Sequence, residues 1–231
     1  MKPLALLIPG LDGTGLLYYR QTTAMAERYR ILAYRFRSRA RFSCQDLVEE
    51  LGCATRDESP GSIVVVGESF GGTLAMHFSL AYPERVRCLM LVNTFSMYKR
   101  RILIRFACSL APLLQWYCIR EIKNYIVDRT LAREGILPQD RRQYRDIIKQ
   151  VYQPAYRRRL ELVRDVDLRA RLKEIKVPVM IFASGRDKIV PSIEEARYMA
   201  TQMTDATLYE YPEAGHALLL TPGFLLADYL S

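Results

Sequence analysis

The sequence predicts an α/β fold: a mostly parallel six-stranded sheet with helices on both faces, interrupted by an inserted helical cap. Three observations carry this expectation. Short apolar runs alternate with helical patterns at both ends of the chain, and alternating βαβ units require parallel pairing. The run Ile63–Val66 is apolar at consecutive positions, and Val86–Val92 nearly so with Arg87 the exception, as strands buried on both faces are. Between residues 97 and 176 no strand pattern occurs at all. The expected division is therefore 1–96 with 177–231 as the core and 97–176 as the cap.

Each element follows from its local pattern. Leu4–Ile8 reads as the first strand and runs into the Gly-rich stretch "PGLDGTG". Leu16–Tyr29 has helical character, Arg30–Phe36 reads as a strand and Gln45–Cys53 as a helix. After Ile63–Val66 a helix over Thr73–Tyr82 stops before Pro83, which cannot continue it. In the middle third, Ile102, Leu103, Phe106, Leu110, Leu113, Leu114 and Tyr117 recur at three-to-four spacing, with Pro112 dividing the stretch into two helices. Asp140–Val151 and Tyr156–Val163 read as further helices. The βαβ rhythm resumes with strand Val177–Ala183, helix Ile193–Met203, strand Thr207–Tyr211 and a closing helix over Phe224–Leu230. Right-handed crossovers place the carboxyl ends of all these strands on one edge.

Composition narrows the class. Half of the 231 residues are hydrophobic, enough for a large core. The five cysteines are odd in number and show no CxxC spacing, so neither a disulfide framework nor a zinc site is expected. The apolar run at Leu4–Ile8 is shorter than the roughly 7–15 residues of a signal peptide core, and the expectation is a cytoplasmic protein. Residues 102–119 are apolar, but Arg105, Pro112 and Gln115 argue against a membrane span. The formal charge of +9 is uneven: residues 97–176 hold 20 basic and 9 acidic residues, and the remainder is slightly acidic. A basic insert with its own surface role follows. The run "YRRRL" at Tyr156–Leu160 matches no nucleic-acid module, so no nucleic-acid partner is expected.

The chemistry concentrates at "VVVGESFGG". Gly67-Glu68-Ser69-Phe70-Gly71 fits G-x-S-x-G, in which a serine stands on a tight strand-to-helix turn. The flanking glycines give steric clearance around an exposed hydroxyl. Such a nucleophile needs a base, and the chain has two histidines. His77 lies inside the following helix, two turns from Ser69, and reads as a packed residue. His216, in the loop "PEAGHALLL" after the last strand, opens on the correct edge. The base needs an orienting acid. Asp187 follows the strand before that loop, and its competing reading is a cap for the next turn. Asn93 fills the other acid position, and Glu213 reads as a solvated charge. The order Ser69, Asp187, His216 suits this topology. Backbone N–H groups of Phe70 and of Leu11, in the loop after the first strand, are the expected oxyanion donors. "GLDGTG" fits neither a P-loop nor a dinucleotide fingerprint, since Arg35 and Arg37 stand where an acid is needed.

On these residues the chain resembles the α/β-hydrolase fold superfamily, serine esterase and lipase type. The elbow "GESFGG", the acid loop "SGRDKIVP", the base loop "EAGH" and the helical insert carry the resemblance. It implies that the six strands are the third to the eighth of the family pattern. The usual His-Gly of the oxyanion loop is Pro9-Gly10 here. "LIPGLDGTG" with "GESFGG" is also similar to the esterase/lipase/thioesterase region of phytyl-ester and diacylglycerol acyltransferases. The implied activity is acyl-ester hydrolysis through an acyl-enzyme without cofactor or metal, with acyl transfer to an alcohol or carbon–carbon hydrolase and lyase chemistry as alternatives. The cap would roof the acyl pocket, with Leu103, Phe106, Leu110 and Trp116 lining it. Its basic rim would meet acidic substrates or lipid surfaces.

Overall fold

A computed structural model describes residues 2–37, 39, 41–99, 104, 135–151 and 153–230. Six strands, β1 (Leu4–Ile8), β2 (Arg30–Ala33), β3 (Ile63–Glu68), β4 (Val86–Val92), β5 (Val179–Ser184) and β6 (Ala206–Tyr211), form one sheet in the order β2-β1-β3-β4-β5-β6. Every pairing is parallel. The α-helices are α1 (Tyr19–Met25), α2 (Cys44–Ala54), α3 (Phe70–Ala81), α4 (Pro138–Lys149), α5 (Gln153–Asp165) and α6 (Ser192–Gln202).

The central strands are almost wholly apolar, Arg87 and Glu68 apart, because alternate side chains enter two different cores. Leu4, Leu6 and Ile8 of β1 and Ile63 and Val65 of β3 pack with residues of α2, α3 and α6. Ala5, Leu7, Val64 and Val66 face the opposite layer with Tyr18, Met25 and Leu226. Burying a side chain of this size contributes about 1.5–3 kcal/mol. The outer strands β2 and β6 are only partly buried, as edges are. Helix α2 starts with a capping box, Ser43 and Asp46 each accepting the other's backbone N–H.

The largest departures from the sequence expectation fall in three elements. The segment after "PGLDGTG" begins as a 3-10 turn over Leu16–Tyr18, and α1 ends at Met25. β2 stops at Ala33, because Phe36 turns away and donates its N–H to Gly13 O at 3.1 Å. The closing helix over Phe224–Leu230 is a single 3-10 turn, Leu226–Tyr229. Its backbone is captured by α1: Gln21 Nε2 donates to Leu219 O at 2.6 Å and Phe224 O at 3.0 Å, and Leu226 N–H donates to Gln21 Oε1 at 2.9 Å. Groups bound to a side chain cannot also complete an α-helical ladder.

In the middle third, the described residues form helices and loops, with an isolated bridge between Met97 and Asp167. Helix α4 presents Asp140, Tyr144, Ile147 and Ile148 inward at helical spacing. These pack on Leu17, Ala217 and Leu220, which belong to loops at the carboxyl edge of the sheet. Among the described residues no helix is long and apolar enough to cross a membrane.

Candidate active site

The chain leaves β1 toward β2 on one side and returns to β3 on the other. The β1 and β3 ends therefore form the crevice where the strand order reverses. Two glycines set the distance across it. A Cβ at Gly71 would lie 2.2 Å from Ile8 O and 2.6 Å from Pro9 O, so the start of α3 lies directly on the end of β1. A Cβ at Gly10 would lie 2.7 Å from Glu68 Oε2 and 3.5 Å from Ser69 Cβ, so the Gly-rich loop touches the elbow.

Ser69 occupies the turn between β3 and α3 with φ 54° and ψ −124°, a left-handed φ that a side chain rarely adopts. Neighbouring bonds hold this strained backbone. Ser69 N–H donates to Val92 O at 2.9 Å, Thr94 Oγ1 donates to Ser69 O at 2.6 Å and Thr73 Oγ1 donates to Phe95 O at 2.9 Å. The elbow is thus tied to the end of β4.

The structure brings Ser69, His216 and Asp187 together. His216 Nε2 lies 3.2 Å from Ser69 Oγ, and His216 Nδ1 lies 2.7 Å from Asp187 Oδ2. With Nδ1–H donating to Asp187, Nε2 is free to accept from the serine. Asp187 is held twice over. Its Oδ1 accepts N–H bonds from Ile189 at 2.8 Å and Val190 at 3.0 Å, and its Oδ2 accepts from Ser192 Oγ. The turn-capping role that competed for Asp187 in the sequence therefore coexists with the contact to His216. The two oxygens divide the tasks.

Burial pushes Asp187 upward, but the charge and hydrogen bond of His216 with the Ser192 and Val190 donors win, so its carboxyl titrates below the usual range. Burial alone would lower the His216 pKa. The adjacent Asp187 and the Glu68 charge reverse this and raise it to about 9.

Three contributors were not weighed in the sequence. Glu68, the variable residue of the elbow, is buried with Oε1 3.6 Å from His216 Nε2. Burial raises its pKa to about 7 against the His216 charge, and Asp12 and Asp187 push the same way. Asn93 stands at the end of β4 with φ 44°. Its Nδ2 donates to Ser184 Oγ at 2.9 Å and His216 O at 2.8 Å, and its Oδ1 accepts from Ser184 N–H at 2.9 Å. One amide thus joins the loops that carry Asp187 and His216. The third is Arg159 of α5, whose guanidinium Nε donates to Leu11 O at 2.8 Å. A charged residue next to the serine and an Asn directly after a buried strand were the available signals; Arg159 had none beyond its charge.

The other candidates fall elsewhere. His77 sits inside α3, where burial and the Arg171 charge lower its pKa. Glu213 is exposed and ion-paired to Arg186. Leu11 lies in the loop after β1, next to the Gly10 that touches the elbow, and Phe70 is the first residue of α3, directly after Ser69. Leu103, Phe106, Leu110 and Trp116 lie outside the described residues. No cluster of potential metal ligands occurs among the described residues.

A parallel sheet with a nucleophile-type elbow at its switch point defines a class, and the chain belongs to it: residues 5–228 match the model of the alpha/beta hydrolase family. Among the curated relatives, a pimeloyl-acyl-carrier-protein methyl ester esterase of Chromobacterium violaceum is 30% identical over 167 residues, covering 68% of this chain and 64% of that protein. A proposed carbamate hydrolase, RutD, of Serratia proteamaculans is 24% identical over 233 residues, covering 96% of this chain and 86% of the relative. Among solved structures, a hydrolase from Oleispira antarctica has the same fold with a TM-score of 0.84 at 14% identity, covering 100% of this chain and 90% of that one. The esterase EaEST of Exiguobacterium antarcticum aligns with a TM-score of 0.82 at 16% identity, over 94% and 86% of the two chains.

Proposed function

We propose that the protein is a serine carboxylic-ester hydrolase. The observation that carries this reading is the chain of contacts from Ser69 Oγ through His216 to Asp187, at 3.2 and 2.7 Å, on a strained elbow. Ser69 Oγ attacks the acyl carbon as His216 Nε2 takes its proton, and the carbonyl electrons move onto oxygen. Backbone N–H groups of Leu11 and Phe70 receive that oxyanion, a contribution on the order of 10²–10³ in rate for each such donor. Collapse breaks the bond to the leaving alcohol, which takes the proton from His216. Water then repeats the sequence on the acyl-Ser69, with His216 as base. Asp187 holds the imidazole in the productive tautomer and stabilises its cation.

The substrate class in this reading is an acyl ester of medium or long chain. The names of the relatives, a methyl ester esterase and a proposed carbamate hydrolase, both describe hydrolysis at a carbonyl carbon bound to a heteroatom. Leu103, Phe106, Leu110 and Trp116 would line the acyl chain, beneath a cap whose basic rim meets acidic or lipid-surface substrates. A panel of p-nitrophenyl esters from acetate to palmitate, with the Ser69→Ala variant and a fluorophosphonate label in parallel, tests this. Labelling at Ser69 and loss of turnover in Ser69→Ala are expected; turnover that survives in Ser69→Ala overturns the mechanism. Steep preference for acetate would refute the long acyl channel. Product analysis with a long-chain alcohol present separates hydrolysis from acyl transfer.

A further inference from the structure

Arg159 is 3% exposed, an unusual place for a guanidinium. Its hydrogen bonds go to backbone carbonyls: Nε to Leu11 O at 2.8 Å and Nη2 to Asp12 O at 3.1 Å. The guanidinium also lies flat against Gly13, where a Cβ would come within 2.7 Å of Cζ. Gly13 has φ +70° and so can take this shape without a side chain. Burying such a charge is unfavourable unless its donors are satisfied. Here two of them are satisfied by the loop that carries Leu11.

The bonds within that loop leave the Leu11 carbonyl to an outside partner. Gly13 and Gly15 both have positive φ, and the internal bonds are Gly13 N–H to Gly10 O at 3.1 Å, Thr14 N–H and Oγ1 to Asp12 Oδ2 at 2.8 and 2.5 Å, and Leu16 N–H to Thr14 Oγ1 at 3.2 Å. On the N-terminal side of Leu11, the close approach of Gly71 fixes the Ile8 and Pro9 carbonyls. On its C-terminal side, the Leu11 and Asp12 carbonyls are fixed by Arg159. The peptide planes flanking the Leu11 amide are thereby pinned from both directions, one from the core and one from α5.

We propose that Arg159 is a positioning residue that aims the Leu11 N–H at the oxyanion, so that seating of α5 on the sheet completes the oxyanion site. This rests on the ester-hydrolase reading. An oxyanion donor that is misaimed weakens transition-state binding and leaves ground-state ester binding nearly unchanged.

The test compares wild type, Ser69→Ala, Arg159→Met, Arg159→Lys and Arg159→Ala on p-nitrophenyl butyrate, with inhibition by a trifluoromethyl ketone of the same acyl chain. In Arg159→Met, kcat should fall on the order of 10²-fold with KM within about threefold. The inhibition constant of the ketone should rise by a similar factor, because its adduct carries the oxyanion. Arg159→Lys, which keeps the charge but not the planar fork of donors, should fall between, and methylguanidinium should restore part of the activity of Arg159→Ala. A variant that is merely misfolded in part would lose kcat while its active fraction keeps the wild-type inhibition constant, and that result overturns the proposal. So does a loss confined to KM. If Arg159→Met does not fold, the inhibition constant of Arg159→Lys decides between the same outcomes. Turnover that persists in Ser69→Ala defeats the underlying reading itself, whereas turnover that requires Ser69 but ignores Arg159 defeats only the clamp.

Discussion

Glu68 and His216 share one buried corner, and their separation of 3.6 Å makes the charge of one a condition for the other. Asp187 and Glu68 both face the imidazole, and Asp12 acts on Glu68 from the β1 loop. An imidazolium cannot accept a proton from Ser69. Because its pKa is raised above the ordinary 6.5 toward about 9, kcat/KM for ester hydrolysis should climb with pH into the alkaline range. Glu68→Gln removes a negative charge that favours the cation, so the midpoint should move down, by about one unit, equivalent to about 1.4 kcal/mol. A pH–rate profile of both proteins checks this; an unmoved midpoint refutes it. Asn93→Ala should cut activity by weakening the joint between the Asp187 and His216 loops, and its thermal midpoint should drop as well. Loss of its buried hydrogen bonds costs about 1–3 kcal/mol. At this scale the sequence was legible where chemistry restricts residue type. Ser69, Asp187 and His216 stand at positions that only a few residue types could fill in such a constellation. Glu68 and Asn93 were opaque because their roles depend on which loops the sheet sets beside them.

Elements were legible where burial is two-sided. The bounds of β1 and β4 follow directly from Leu4–Ile8 and Val86–Val92, because each strand is apolar apart from the exposed Arg87 and ends at a turn signal. Helix α3 starts at Phe70, three residues before the expected Thr73, since glycines 71 and 72 hide a helix start in an element whose shape depends on close approach. The closing helix was misread because Phe224–Leu230 carries a helical apolar spacing, while its backbone partners come from Gln21, far away in sequence. Gly71 makes the strongest test of element packing. Gly71→Ala forces a Cβ to within 2.2 Å of a main-chain oxygen, which cannot yield as a side chain would. A destabilisation of about 1–3 kcal/mol, typical of overpacking, is expected, with a larger loss of activity since β1 and its loop must retreat. Denaturant melts and ester turnover measure both. Ser43→Ala serves as a contrast: it removes the α2 cap for about 1 kcal/mol and leaves turnover intact.

At the scale of the whole molecule, Asp140 ties the helical segment to α1. Asp140 of α4 accepts from Tyr19 Oη and from Arg20 Nη2, both at 2.5 Å. Burial raises its pKa, but the Arg20 and Tyr19 hydrogen bonds outweigh it, so the carboxyl titrates below its ordinary 3.8. A carboxylate depressed in the folded state stabilises above its unfolded pKa, and the contribution disappears as the pH falls through the folded value. Asp140→Asn should therefore lower the thermal midpoint at neutral pH and flatten the acid limb of the stability curve; parallel limbs for the two proteins would contradict this. The charge asymmetry of the sequence located the helical segment, and its described helices lie over the β1 and His216 loops. Which side chains of residues 105–134 meet a substrate was not legible, because an apolar helical stripe reads alike whether it faces a core or a ligand.

Parallel pairing has one kinetic corollary. β4 and β5 lie side by side, with Leu89 paired to Val179, although the entire helical segment separates them along the chain. Such distant partners meet only after long loops have closed, which is slow compared with the formation of individual helices. During renaturation from denaturant, helical circular dichroism should return early, and the capacity to cleave ester should be the last property regained.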